Sequence, residues 1–537
     1  MKSHPGIRQI AHGKEPLIHI EPGQQPPLPP PFDKIENEPP LPPLSSAAQE
    51  KYESSLDDTI AVGIPKPKTK QEEEELVTAF VRGVRKLFSR EDNWTFLQPL
   101  LISIEHCAKC QTCSDACHIY QESGNNPLYR PSYRAEVLRR IYYKYVKGAS
   151  TWVHGNIDLN WTTVARLIEL SYRCNLCRRC AQTCPIGVDN GLLAREIRKI
   201  ASQEMGIAPR ELHQSGSILQ QTVGSSTGMN PQVAKDNTQF IEEDTAELTG
   251  LPPEKTKIPW DVKGADILLI HNAGEIMSWP DNVGSFAVLF NAAGLNWTMS
   301  SDLAAYDAIN YGLWYDDVQF SRTAILHAKA AAALGVKKIV FGECGHAHKA
   351  LAVVADKMLT GELNIPRESC FPILWDIVKS GSVQFDKTRN DFPVTLHDPC
   401  NVVRLMGVVS PQRSVLREIV PQGRFREMTP HGVDNYCCGG GSGFALMSGH
   451  NFTDWRHHLA GRRKFRQILE AFKDEVMDNK HPKYVCAPCS NCKGQIRDIL
   501  NYYNAMEKAS IYYGGLVELM VNAMADVKPG YISREWH

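Results

Sequence analysis

The sequence predicts a chain of mixed class, an all-helical domain followed by two α/β units in tandem. Three observations carry this. Two matched runs of four cysteines, each spaced C-x2-C-x2-C-x3-C, lie within residues 100–205 with helically patterned chain between them. From residue 261 short β-branched runs alternate with helical stretches, the pattern of strands linked by crossover helices. That block occurs twice, and in each copy a strand (KKIVF or KYVCA) runs into a cysteine-bearing turn.

Composition narrows the function classes. At 42% hydrophobic the 537 residues can bury ordinary cores, and a net charge of -1 gives no bulk field for nucleic acid or an anionic membrane face. No nucleic-acid motif is present, and no apolar run approaches the ~18–20 residues that span a bilayer. The N-terminus lacks an apolar secretory core. Sixteen cysteines in a chain without such a signal read as metal ligands or redox groups in a cytoplasmic protein.

Taken in order, residues 1–70 form a Pro-rich, largely disordered extension. Ten prolines fall in residues 22–43, favouring extended polyproline chain, either a tail or a strap that docks a partner subunit. Residues 71–205 form the helical cluster domain. Its first helix is marked by Leu76, Phe80, Val81, Val84, Leu87 and Phe88 on one stripe, with Glu72–Glu75 at the end where the helix dipole favours acid. Tyr133–Tyr145 and Trp161–Tyr172 carry helical patterning as well. Residues 206–260 are polar and read as a linker or surface wrap. Residues 261–385 and 386–537 are the two α/β units, the second with a long helix over about 450–478.

The first cysteine run is Cys107, Cys110, Cys113 and Cys117; the second is Cys174, Cys177, Cys180 and Cys184, followed by Pro185. With this spacing three thiolates of a tight loop face one cubane and the fourth faces the other cluster. One [4Fe–4S] cubane therefore takes Cys107, Cys110, Cys113 and Cys184, and a second takes Cys174, Cys177, Cys180 and Cys117. Structural zinc would use spaced pairs rather than two matched runs of four. Two such clusters make a wire for single electrons.

A third group lies at predicted strand ends: His397-Asp398-Pro399-Cys400, then Cys437-Cys438 with Gly439, Gly440, Gly441, Ser442 and Gly443, then Cys486-x2-Cys489-x2-Cys492. The carboxyl edge of an α/β sheet is where sites are built. The glycines let backbone approach a bulky group and offer amides toward sulfur. On spacing alone the group suits an iron–sulfur cluster, a zinc site, or a thiol–disulfide pair of Cys486 and Cys489.

HDPC…CCGGGSG…CAPC resembles the CCG domain of heterodisulfide reductases and related iron–sulfur subunits, the K subunits of the DsrMKJOP complexes of dissimilatory sulfur metabolism above all. The resemblance covers the chain from about residue 76. It implies a non-cubane [4Fe–4S] cluster on Cys400, Cys437, Cys438, Cys486 and Cys489 that reduces or forms a disulfide or trisulfide. It further implies a cytoplasmic subunit held at the inner face of the membrane by a haem-b partner linked to the quinone pool. Other subunits of a membrane complex belong to this picture, and a small sulfur-carrier protein with C-terminal cysteines is the implied substrate. Two CCG domains are usual in that family, but here the first is degenerate: Met299-Ser300-Ser301-Asp302 stands where a CCG is expected and Cys344 is left alone, with His346 and His348 nearby. Competing readings are the relay subunit of a flavin-dependent lactate, glycolate or glycerol-3-phosphate dehydrogenase, and an electron-transfer scaffold with zinc at the third site.

Overall fold

A computed structural model describes residues 22–34, 64–65, 67–93, 96–447 and 455–533. The predicted first helix spans Lys70–Leu87, and Phe80, Val84 and Leu87 are buried along its stripe. The Thr69 hydroxyl accepts from the Glu72 amide at 3.1 Å, a side-chain cap for a backbone donor that the helix leaves unpaired. This helix lies on the helix Asn190–Met205, with Gly83 against Ile200. The helices Pro131–Ile141 and Trp161–Tyr172 complete an all-helical domain.

Each α/β unit holds a four-stranded sheet. The first contains β1 (Ile267–Ile270), β2 (Trp297–Thr298), β3 (Lys338–Phe341) and β4 (Arg367–Ser369) in the order β2-β1-β3-β4. The second contains β5 (Val394–Leu396), β6 (Phe425–Arg426), β7 (Lys483–Cys486) and β8 (Ile511–Gly514) in the matching order β6-β5-β7-β8. All pairings are parallel. Parallel sheets need cover on both faces, which is why strands such as Ile267–Ile270 are apolar throughout.

Register aligns the two units residue by residue. Ile270 pairs with Phe341 and Leu396 with Cys486. His271 thus matches His397, and Cys344 matches Cys489. Leu268 pairs with Thr298, and its counterpart Val394 with Phe425. Cys437 stands twelve residues beyond Phe425 and Asn310 twelve beyond Thr298. The counterpart of Cys437-Cys438-Gly439 is therefore Asn310-Tyr311-Gly312, which corrects the expectation for Met299–Asp302. Met299 instead prolongs the sheet edge, bridging to Trp260. A Cβ on Gly312 would fall 2.2 Å from the Phe320 amide nitrogen, and one on Gly439 2.5 Å from the Ala460 carbonyl carbon. Both glycines press a turn onto the chain that follows.

Three further expectations are corrected. Residues 206–260 contain the helix Pro231–Thr249, which seats Ala234, Thr238, Ile241, Thr245 and Thr249 on the first α/β unit. Small and hydroxylated residues make that stripe, so the hydropathy pattern reads as polar. Residues 22–34 of the Pro-rich segment pack on the protein: Leu28 and Phe32 are buried, and Phe32 meets the Phe465 ring edge-on at 5.0 Å. The other prolines expected in extended chain lie outside the described residues. The helix expected over 450–478 is shorter, Arg462–Ala471, after a helical turn at Trp455–Ala460; residues 448–454 lie outside the described residues.

Candidate functional site: a path of cysteines

The two helical-domain loops share an unusual backbone. Lys109 and Gln111 in the first, and Leu176 and Arg178 in the second, all have left-handed φ between 49° and 69°. Non-glycine residues adopt that conformation at a cost, so four equivalent instances mark loops shaped for a purpose. The curl turns the thiols inward. Cys113 feels Cys107 and Cys110, and burial pushes its thiol up. Cys117 is held up to about 12 by burial, with Cys177 and Cys174 adding to it, and Cys180 feels Cys174, Cys177 and Cys117. Cys117 thus lies within electrostatic reach of the second motif's three cysteines. Cys184 hydrogen-bonds the Val188 amide at 3.3 Å, and among the described residues no contact ties its sulfur to the first set. Cys110 is exposed, whereas Cys180 is buried, so the first set is the nearer to the surface.

The second loop is bonded onto the glycine turn of the last domain. Asn175 donates to the carbonyls of Gly439 at 2.9 Å and Gly441 at 3.2 Å, and His118 pins Asn175 at 2.9 Å. Arg404 donates to the Cys177 carbonyl at 2.9 Å. Buried Arg198 donates to the Cys174 carbonyl at 2.7 Å and to the Ser442 hydroxyl at 2.6 Å. The outcome is that Cys177 packs against Cys437, Cys438, Cys489 and Cys492.

In this third group Cys437 contacts Cys177, Cys400 and Cys438. Cys438 lies 3.3 Å from Cys492. Hydrogen bonds from Cys437 and Cys492, with His397 alongside, hold the Cys438 thiol well below its ordinary range. The Gly439 amide points at Cys437 sulfur (3.4 Å) and the Gly440 amide at Cys438 sulfur (3.5 Å), as the glycine run predicts. Ligand atoms of His397, Cys438 and Cys492 lie within 4.8 Å of one another.

Two cysteines lie otherwise than the C-x2-C spacing suggests. Cys486 closes β7 on the same face as Tyr484, in the apolar core shared by the α/β units; burial, Glu343 and Glu518 push its thiol well up. Cys492, on the helix Ser490–Tyr502, sits among the sulfurs instead. Strand alternation decides this, and a C-x2-C-x2-C string does not show where the strand stops.

Asp398 is fixed rather than free. Arg413 grips both its oxygens at 2.8 and 2.7 Å, and the Gly432 amide donates at 2.6 Å. Lys464 lies in no motif and escapes a reading of the sequence. It is buried, bonds Asn435 at 2.8 Å, and is pushed down to about 7 by burial while the sulfurs pull the other way. In the first unit Cys344 is buried beside Asn272, which approaches its sulfur at 3.9 Å. His346 is tied to the Asn310 backbone and His348 to the Cys344 carbonyl and Ser369 hydroxyl. These histidines hold the fold. The unit's contribution to the sulfurs is the Gly345 amide, which donates to Cys489 sulfur at 3.2 Å.

Comparison with known proteins agrees with this layout. A family described as a 4Fe-4S dicluster domain matches residues 103–188, and one described as a cysteine-rich domain, CCG, matches residues 394–497. The chain is 27% identical over 470 residues to the Hdr-like menaquinol oxidoreductase iron-sulfur subunit 2 of Archaeoglobus fulgidus, covering 78% of this chain and 79% of that one. It is 24% identical over 473 residues to the corresponding subunit of Archaeoglobus profundus, covering 79% and 80%. It is 25% identical over 351 residues to a subunit of the dihydromethanophenazine:CoB–CoM heterodisulfide reductase of Methanosarcina acetivorans, covering 64% and 79%. With a dicluster domain leading into a cysteine-rich domain, and such relatives along most of its length, the chain resembles the iron–sulfur subunits of heterodisulfide-reductase-like oxidoreductases.

Proposed function

We propose that the chain passes electrons between two [4Fe–4S] cubanes and a third, non-cubane iron–sulfur site at which a disulfide or trisulfide of a small carrier protein is reduced or formed. The observation that carries this is the packing of Cys177 on the third cysteine group, which joins wire and reaction site by sulfur contact. Reduction of R–S–S–R′ takes two electrons and two protons and yields RSH and R′SH; formation is the reverse. An iron–sulfur group at the third site would supply storage for one electron until its partner arrives.

Cys400, Cys437, Cys438, Cys489 and Cys492 would hold that group, and their gathering with two glycine amides aimed at sulfur fits it. The cubanes would keep the sets given by the spacing. His397 stays against Cys438, held below its usual range by burial, as a neutral neighbour of the sulfurs. Arg413 and Asp398 lock the turn that presents Cys400.

Among the described residues no helix is long and apolar enough to cross a membrane. Two relatives are named menaquinol oxidoreductase subunits, which supports a quinone-linked electron partner within a larger complex; a haem-b membrane partner and a place at the cytoplasmic face belong to the same proposal.

His397, Cys438 and Cys492 would also suit zinc, which would leave a relay without sulfur chemistry. Anaerobic metal and sulfide analysis with EPR separates the two. About 12 irons per chain, together with loss of viologen-driven disulfide reduction in Cys437→Ala, is the expected result. About eight irons with one zinc, or full activity in Cys437→Ala, overturns the reading.

A further inference from the structure

A cavity of about 380 Å³ opens where the helical domain meets both α/β units. Ile102, Leu192, Val353 and Leu405 give it apolar walls. Its volume suits a small organic ligand or a few residues of peptide.

Three facts tie the cavity to the sulfur site. Cys400 is the one gathered cysteine of the third group that is not buried. The helical turn after Cys400, Asn401–Leu405, packs on the turn His348–Val354, so Leu405 and Lys349 line the same space. Lys349 is close enough for its charge to feel Cys400.

The charges point to an anion. Arg178 is bound to Asp189, and Arg195 to Glu196 and Asp317. Lys349 has no hydrogen-bond or ion-pair partner among the described residues. Burial, with Arg178 and Arg195 nearby and Asp189 acting against them, pushes its ammonium down to about 8. A half-buried lysine that no carboxylate touches directly gains from an anion that reaches it.

Resting on the disulfide reading above, we propose that this cavity is the entrance for substrate and that Lys349 binds a carboxylate on it. The site then selects an organic disulfide built on an apolar chain with an anionic end. A protein's C-terminal tail and a free small disulfide both present that chemistry.

The test is calorimetric binding to the cluster-loaded full chain, with two probe pairs. Lipoate and lipoamide differ only in the carboxylate. Val-Leu-Cys as its mixed disulfide with mercaptoethanol, with a free or an amidated C-terminus, makes the same comparison on a peptide. The expected result is roughly tenfold tighter binding of the anionic member of at least one pair, lost in Lys349→Gln and kept in Lys349→Arg, with iron content and circular dichroism unchanged. Preference in the peptide pair alone assigns the ligand to a protein tail; preference in the lipoate pair alone assigns it to a free disulfide. Equal binding of acid and amide by the wild type, or a preference that survives in Lys349→Gln, overturns the proposal. Viologen-driven turnover is read in parallel. Carboxylate preference without turnover keeps this proposal and sinks the disulfide chemistry; turnover without preference does the reverse.

Discussion

At the scale of the residue, the placement of Cys486 in the apolar core and Cys492 among the sulfurs is the sharpest finding. In the run Cys486-x2-Cys489-x2-Cys492 either end completes a C-x2-C pair with Cys489, and spacing cannot choose. The structure chooses by alternation, because Cys486 is the last strand residue and faces the core with Tyr484. Cys492→Ala is therefore expected to lose iron from the third site, while Cys486→Ala keeps it and loses about 1 kcal/mol of stability from the small cavity left behind. Iron analysis of the two purified variants decides, and the opposite order restores Cys486 as a ligand. The eight helical-domain cysteines stand out in the sequence because a fixed loop writes its own spacing there. Lys464 and Lys349 do not, since a lysine becomes notable only when the fold buries its charge. Nor does the dipeptide His397-Asp398 show that Arg413 immobilises the acid.

At the scale of the element, the two sheets came through in the sequence because fully buried parallel strands are short, apolar and easily seen. The helix Pro231–Thr249 did not, because its buried stripe is built largely of threonine and alanine. The first α/β unit carries a burden of its own. Its helices and turns enclose His327, which burial pushes down to about 4, along with His348 at about 4 and His346 at about 3. His327 donates from Nε2 to the carbonyls of Ala304 and Asp307, each at 2.9 Å. A histidine whose folded pKa lies below its unfolded value binds its proton more readily when unfolded. Stability is thus intact above about pH 6.5 and falls as pH drops toward 4, by up to ~1.4 kcal/mol per pH unit for each histidine. Urea unfolding of the wild type at pH 7, 6 and 5 is expected to show this decline. His327→Gln, which keeps a donor but cannot ionise, is expected to lose roughly a fifth of it, since burial lowers His457 and His397 as well. A decline of the same slope in that variant would place the protonation elsewhere.

At the scale of the whole molecule, boundaries read from sequence mark changes of architecture without marking separable parts. One core runs from Phe80 and Trp161 of the helical domain into Leu268 and Phe341 of the first α/β unit, and another joins that unit to the last. Residues 22–34 close the assembly from outside. Pro26 accepts from Arg462 and Arg466, and Gln25 donates to the Glu122 carbonyl at 2.9 Å, so the segment bridges the helical and last domains. Phe32→Ala is expected to lower the melting temperature through about 3–5 kcal/mol of lost burial; an unchanged melt would show that the segment only rests on the surface. Glu343 of the degenerate unit accepts from the Leu516 and Val517 amides at 2.9 and 3.1 Å, and Gly345 donates to Cys489. Two units of one topology, one stripped of all but a single matching cysteine, describe a gene duplication in which the spare copy became a wall of its twin's chamber. Removing the half that lacks the cysteines would strip the other of a wall and of the amide on Cys489.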